Sequence, residues 1–373
     1  MDPSCLPKQT VFALLGDVTG SSRALRQLRA LDEIGVETTV VQVAPARAPQ
    51  VLPTSVRLVV LPAPAGGGPV FFAKAHRAVA RALPPADLYL ASDLYTLPAL
   101  AAAAQRHDSA LVYDARELYA ALDSSAGRPW VGASWRAVER RYAPRADAIL
   151  TVGDAIADRL ASDLGIERPH VLYNAPDAPA GAPDRGALRR QLEIPDDGRP
   201  IVLYQGLFRE GRGLEALVEA VQRVDDWRLV LIGEGALDGW LRAATGDRIT
   251  VSPFVPPDSL ATLTPGADLG ACLIEPLTES LRLSLPNKLF EYLAAGVPVL
   301  ASPLPEIRAV VDLGVGILAD PSDPVAVARA LRDAAPSERR ESWRVKTASV
   351  LDRYAWNRGR PAFQDLIDRL LTS

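Results

Sequence analysis

Histidine is nearly absent from this chain: His76, His107 and His170 are the only three in 373 residues, which argues against a metal centre built on imidazole. The two cysteines, Cys5 and Cys272, lie far apart and match no metal or redox spacing, so both read as reduced bystanders of a cytoplasmic protein. No Asp-x-Asp triplet occurs, which removes the commonest acidic clamp for a nucleotide-bound metal. Long apolar runs are missing too. Alanine-rich 97–104 is too short to span a bilayer, and the start, MDPSCLPKQT, lacks the basic and apolar regions of a signal peptide. The expected location is cytoplasmic, with at most peripheral contact at the inner face of the membrane. Lysine is confined to Lys8, Lys74, Lys288 and Lys346 against 37 arginines, a skew that reads as genome composition. The formal charge is −4 with dispersed basic residues, which excludes an obvious nucleic-acid surface. What is abundant is apolar content: 48% hydrophobic residues in a chain of this length suffice for two ordinary cores.

Those apolar residues alternate between strand and helix patterns. In the first half, runs at 11–15, 36–43, 57–61, 87–90, 110–113, 148–152 and 171–173 read as buried strands. A helix over 23–34, with Leu25, Leu28 and Leu31 on one side, ends at Gly35. The Pro/Ala/Gly-rich stretch APDAPAGAPDRG (175–186) breaks the pattern and reads as a linker. Alternation then restarts with runs at 201–204, 228–232, 249–251, 268–273 and 297–301. The expected fold is α/β, with two Rossmann-like parallel-sheet domains facing across a cleft, since such sheets bind ligands at the carboxyl ends of their strands. The expected divisions are 1–178, 179–354 and a terminal helix over 355–373.

One stretch stands out: SLPNKLFEYLAAGVPVLAS, Ser284 to Ser302. Ser284 or Leu285 can cap a helix with Pro286 in its first turn. Leu289, Phe290, Leu293 and Ala294 form the apolar stripe, with Asn287, Lys288, Glu291 and Tyr292 off it and Gly296 as the C′ stop. A helix N-terminus beside a lysine suits an anion, and a glutamate one turn on can accept from sugar hydroxyls. Together they point to a nucleotide-sugar pocket. A second stretch, VLYQGLFREGRGLEALVEA, is a strand, a glycine-rich turn (Gly206, Gly211, Gly213) and a helix near Leu214. Arg209 and Arg212 in that turn would neutralise a pyrophosphate leaving group; the plainer reading is two solvated arginines. LVLIGEG (229–235) ends in a turn whose Gly233 and Glu234 can approach a nucleotide, and Phe254 with Val255 can wall a base or serve as core. In the first half, Gly16, Asp17 and Gly20 lie in one strand-end loop. Asp93 follows another strand, and Asp114 with Glu117 a third. Each can touch an acceptor, or Asp93 and Asp114 can cap helices.

With these segments in place the chain resembles the family 4 retaining glycosyltransferases of GT-B fold, in the subgroup whose motif reads S-L-P-N-K-x-x-E. The resemblance is strongest over 203–321 and weaker in ASDLYTLPA, YDARELY, TVGDAIADRL and LYNAPD. The tail YAWNRGRPAFQDLIDRLL resembles the family's final helix, which returns to the first domain. The resemblance implies that Glu291, as the second glutamate of E-x7-E, holds the ribose hydroxyls. Arg209 and Arg212 would embrace the pyrophosphate. Ser284, Asn287 and Lys288 would lie near the phosphates and donor sugar. The first glutamate of that motif falls at Leu283, leaving its contact to Glu275 or Glu279. Arg212 stands where lysine is usual, and Ser92 precedes Asp93 where many members have histidine.

The resulting expectation is metal-independent transfer of a sugar from a nucleotide diphosphate sugar to an acceptor hydroxyl, with retention. The setting would be polysaccharide, glycolipid or glycoconjugate synthesis; no cofactor and no nucleic-acid partner are expected. Three alternatives stand beside it: a nucleotide-sugar epimerase, a glycoside phosphorylase, and a GT-B binding protein that has lost its chemistry.

Overall fold

The computed structural model describes residues 7–43, 52–122, 128–177 and 181–372. Cys5 and the division expected at 178/179 lie outside them. The strands are β1 (Gln9–Leu14), β2 (Glu37–Val43), β3 (Val56–Leu61), β4 (Leu88–Ala91), β5 (Ala110–Ala115), β6 (Ala148–Thr151) and β7 (His170–Val171), then β8 (Ile201–Leu207), β9 (Arg228–Glu234), β10 (Ile249–Ser252), β11 (Leu269–Cys272), β12 (Val299–Ala301) and β13 (Gly316–Leu318). They form two all-parallel sheets, ordered β3-β2-β1-β4-β5-β6-β7 and β10-β9-β8-β11-β12-β13. The chain divides into one compact unit of 1–174 with 359–373 and another of 175–358. This is the GT-B architecture.

The central strands LYLA, AILT and LGAC are buried at every position, as parallel strands covered by helices on both faces must be. Successive side chains point to opposite faces. Ile201 and Leu203 therefore join the core that holds Leu289, Phe290 and Leu293, while Val202 and Tyr204 join the one holding Leu217, Trp227 and Leu331. In the first unit the helix Ser22–Glu33 is capped by Ser21, whose hydroxyl accepts from Ala24 N–H, and it buries Leu25, Leu28 and Leu31.

Three details differ from the sequence reading. β13 was not anticipated: it is three half-buried residues, too short to show a period. Pro286 is itself the cap residue of the helix Asn287–Ala294, extended at φ −75° and ψ 140°. Ser284 instead closes the preceding turn, its hydroxyl donating to Leu281 O at 2.8 Å. Tyr292 belongs to the buried face, three residues on from Leu289, with its ring fully enclosed. The final helix, Trp356–Thr372, does return to the first unit. There Arg360 pairs with Glu33 at 3.0 Å, and Gln364 donates to Ala30 O and Glu33.

Candidate functional site

In a doubly wound sheet the ligand crevice opens at the carboxyl ends of the two strands where the order reverses. In the second unit those strands are β8 and β11. β8 runs out through Gly206, whose φ of +126° suits glycine. Its carbonyl lies so near β9 that a Cβ on Gly233 would fall 1.9 Å from it, so Gly233 maintains strand contact. The turn that follows folds back onto β9, with Phe208 N–H donating to Glu234 O at 2.8 Å. At its far end Gly213, at φ +60°, caps the helix Leu214–Gln222. Glu275, just past β11, receives the Gly213 N–H on its carboxylate at 3.1 Å and donates its own N–H to Gly211 O at 3.1 Å. Arg209 and Arg212, both half-buried, are thereby carried on a loop clamped at both ends.

The helix Asn287–Ala294 enters the same corner. The Lys288 ammonium lies 3.7 Å from the Tyr204 ring centroid, a cation–π contact, and 3.4 Å from where a Gly206 Cβ would stand. Burial pushes its pKa down to about 7; the nearby Arg212 and Arg209 charges act the same way, and Glu291 opposes them. Cys272, at the end of β11, supplies no counter-charge, because burial raises its thiol to about 11. The Glu291 carboxylate accepts from Gln205 Nε2 at 2.7 Å, while the Gln205 carbonyl accepts from Thr264 Oγ1 at 3.0 Å. Beneath them Tyr292 donates its hydroxyl to Leu203 O (3.0 Å) and accepts Gln205 N–H (3.1 Å), tying the helix to β8.

Gly206, Arg209, Arg212, Lys288 and Glu291 thus converge on one strand-end corner. Asn287 is exposed at the first helical residue, with half-buried Ser284 and Pro286 just ahead of it. Leu283 is buried, Glu279 pairs with Arg282 at 2.7 Å, and Glu275 holds the arginine loop. Glu234 is exposed at the end of β9. Phe254 (55% exposed) and half-buried Val255 follow β10, two strands or about 10 Å from β8.

In the first unit the order reverses between β1 and β4. Gly16 and Gly20 lie in the loop after β1, where Asp17 caps a short turn by accepting Thr19 N–H and Oγ1–H at 2.9 Å. Asp93 is 1% exposed and bridges the two strand ends, accepting from Leu15 N–H (2.6 Å), Thr96 N–H (2.9 Å) and the Thr96 hydroxyl (3.0 Å). Burial raises its pKa, against those bonds and Arg116 3.9 Å away. Asp114 is fully buried and gripped by Arg23 in a fork, 2.7 Å on each oxygen, with Gln27 donating at 2.9 Å. Glu117 is exposed.

Sequence reasoning passed over Arg23, Gln27, Arg116, Tyr204, Gln205 and Thr264. Arg23 and Gln27 do leave a trace, as polar residues one turn apart on the leucine-bearing side of their helix. The others leave none. Among the described residues no three His, Cys, Asp or Glu side chains gather as a metal site, and no helix is long and apolar enough to cross a membrane.

Two family models match the chain, the "Glycosyl transferase 4-like domain" over 19–176 and the "Glycosyl transferases group 1" model over 199–335. WcaI of Escherichia coli (strain K12), named as a glycosyl transferase of colanic acid biosynthesis, is 29% identical over 159 residues, 40% of this chain and 39% of that protein. The match spans less than half the length of the curated relatives. Among solved structures, sucrose-phosphate synthase from Thermosynechococcus elongatus superposes with a TM-score of 0.80 at 18% identity, covering 98% of this chain and 99% of that one. HepE of Anabaena, in complex with UDP-glucose, gives 0.75 at 16%, covering 97% and 100%. At such identities the likeness is one of fold. With a group 4-like half followed by a group 1 half on two parallel sheets, the chain belongs to the glycosyltransferases of the GT-B fold.

Proposed function

We propose that this protein transfers a sugar from a nucleotide diphosphate sugar to an acceptor hydroxyl, with retention at the anomeric carbon and without a metal ion. The observation that carries the proposal is the convergence of Lys288, Arg209, Arg212 and Glu291 at the β8/β11 strand ends. Three cationic side chains there can neutralise a diphosphate, the task a divalent ion otherwise performs. Glu291, oriented by Gln205 and Thr264, accepts from the ribose hydroxyls. Ser284, Pro286 and Asn287 border the donor sugar, Gly233 and Glu234 the nucleotide, and Phe254 with Val255 the base. The bond from the anomeric carbon to the diphosphate breaks as the bond to the acceptor oxygen forms. The acceptor proton passes to a leaving phosphate oxygen on the same face.

The neighbour bound to UDP-glucose makes uridine diphosphate the first nucleotide to test. The acceptor is read as a carbohydrate or lipid-linked sugar of polysaccharide or glycolipid assembly, by analogy with the name of WcaI. Gly16, Asp17, Gly20 and Glu117 are the acceptor-side residues. Asp93 and Asp114 act by holding that edge in shape. The protein would work in the cytoplasm with at most peripheral membrane contact.

A second reading has one observation in its favour: Leu283, where the family's first glutamate belongs, is buried, so a binding protein without turnover remains the rival. Thermal-shift titration with UDP, GDP, dTDP and ADP and their sugars, beside Glu291→Ala and in EDTA, tests donor binding. Stabilisation by one nucleotide, lost in the variant, supports the reading; its absence with every nucleotide overturns it. Sugar-dependent release of nucleoside diphosphate over a panel of acceptors separates transfer from mere binding.

A further inference from the structure

The amino-terminal edge of the second sheet carries a feature that the donor site does not use. Pro200 precedes β8 and Asp268 precedes β11, and beside them lies a cavity of about 280 Å³ lined by five arginines against two aspartates. That volume approaches the lower end of small-ligand sites, about 300 Å³. β8 is seven residues long, so about 20 Å separates this edge from Gly206 and Lys288.

Of the five, Arg199 is paired with Asp197 at 2.5 Å, but Arg185, Arg340 and Arg344 are not paired as arginines are elsewhere in the chain. Arg23, Arg168, Arg228, Arg242 and Arg282 each meet a carboxylate within 2.7 Å. In the cavity, Arg340 is anchored over the Trp227 ring and donates to Ala334 O and Ala335 O, yet it meets Asp268 only at 3.8 Å. Asp268 is itself engaged by Ile201 N–H at 2.9 Å. Arg344, its side chain 15% exposed, donates to Gly296 O and reaches Glu341 at 3.4 Å. Exposed Arg185 makes no hydrogen bond or ion pair with a described residue, yet it stands close enough for its charge to bear on Arg344. Burial lowers the Arg344 pKa; Arg185 and Arg340 push the same way, while Asp268 and Glu341 oppose them. Asp196, the other aspartate, is almost fully exposed, 4.0 Å from Arg189.

We propose that this arginine-lined cavity is a second ligand site, specific for a small phosphate-bearing anion, formed by Arg185, Arg340 and Arg344 on the edge of the sheet opposite the donor corner. The planar guanidinium groups of Arg340 and Arg344, held by protein carbonyls at their rear, and the unbonded one of Arg185 present their remaining N–H groups to phosphate oxygens, and an anion among them relieves their mutual repulsion. The site is independent of the donor reading, because no residue is shared.

The test is calorimetric titration of the full-length protein with inorganic phosphate and with pyrophosphate, against sodium chloride at matched ionic strength. Arg185→Ala and Arg344→Gln remove this site, and Arg212→Ala/Lys288→Ala removes the other diphosphate-binding corner. The expected result is binding that survives in the donor-corner variant and weakens by about tenfold or more in Arg185→Ala, the loss of one charge-assisted contact. Arg185 is exposed and makes no bond whose loss would unfold the chain, so this variant remains informative if Arg344→Gln fails to fold. Wild-type affinity in Arg185→Ala, binding abolished by the donor-corner variant, or a response reproduced by chloride alone would each overturn the proposal.

Discussion

Lys288 illustrates how a single residue couples charge to ligand. Its pKa, near 7 in the folded protein against 10.5 ordinarily, means that between those values the unfolded chain binds more protons than the folded one. This group's contribution to stability therefore rises with pH from about 7 toward 10.5, and below 7 the fold carries a buried charge at a cost. A diphosphate beside the amine reverses that preference. At pH 8, nucleotide diphosphate binding is expected to take up roughly one proton, seen as calorimetric heats that vary with buffer ionisation heat, and affinity should fall as pH rises above 7. Lys288→Met should abolish the uptake; the same uptake in that variant would dissociate the amine from the phosphates. Asp114 makes a contrasting case. Fully buried and forked by Arg23, it should show its loss as instability: Asp114→Ala should lower unfolding free energy by about 3–5 kcal/mol in denaturant titration, by stranding a buried guanidinium. A variant that lost turnover but kept its stability would instead place Asp114 in contact with the acceptor. Neither environment could be read from the sequence, because Arg23 and Asp114 stand 91 residues apart and Gln205 and Glu291 stand 86 apart.

At the scale of elements, the helix Asn287–Ala294 was legible in its stop, its apolar stripe and its polar N-terminus, since all three are local patterns. The assignment of Tyr292 to the polar side failed because a phenol satisfied by backbone groups of β8 packs like an apolar ring. Its seat depends on Gly270 in β11, where a Cβ would fall 2.3 Å from the Tyr292 ring. Gly270→Ala should therefore cost about 3 kcal/mol or prevent folding, measured by urea unfolding. Gly239, inside the helix Asp238–Ala243 with nothing within 4 Å of a built Cβ, provides the control. Gly239→Ala should be neutral or stabilising by up to about 1 kcal/mol. A full-sized loss there would show that backbone freedom, and not ring contact, governs both positions.

For the whole molecule, the notable device is the helix Trp356–Thr372, most of which belongs to the same compact unit as residues 1–174. The final helix buries Phe363, Leu366, Ile367 and Leu371 while Arg360 and Gln364 hold the C-terminal turn of the helix Ser22–Glu33. Ending the chain at Arg358 should uncover that surface and destabilise the first unit by on the order of 5 kcal/mol. Hydrogen exchange would report the loss in residues 22–33, with protection across β8 and β9 unchanged. Equal loosening of both sheets would contradict it.

The sequence alone determined the alternation of strand and helix, hence two parallel sheets, and it marked the two loops whose arginines and lysine meet at β8 and β11. These are features with periods of two to four residues, or turns fixed by glycine and proline, and they need no knowledge of distant partners. The tertiary structure alone decided strand order, and strand order selects the corner where the loops converge. It also decided which carboxylates are spent inside the protein, as Asp93 and Asp114 are, and which stay exposed at the β8/β11 corner, as Glu291 does. Burial and pairing are properties of the assembled sheet: the groups that desolvate or neutralise a side chain come from strands and helices tens of residues away.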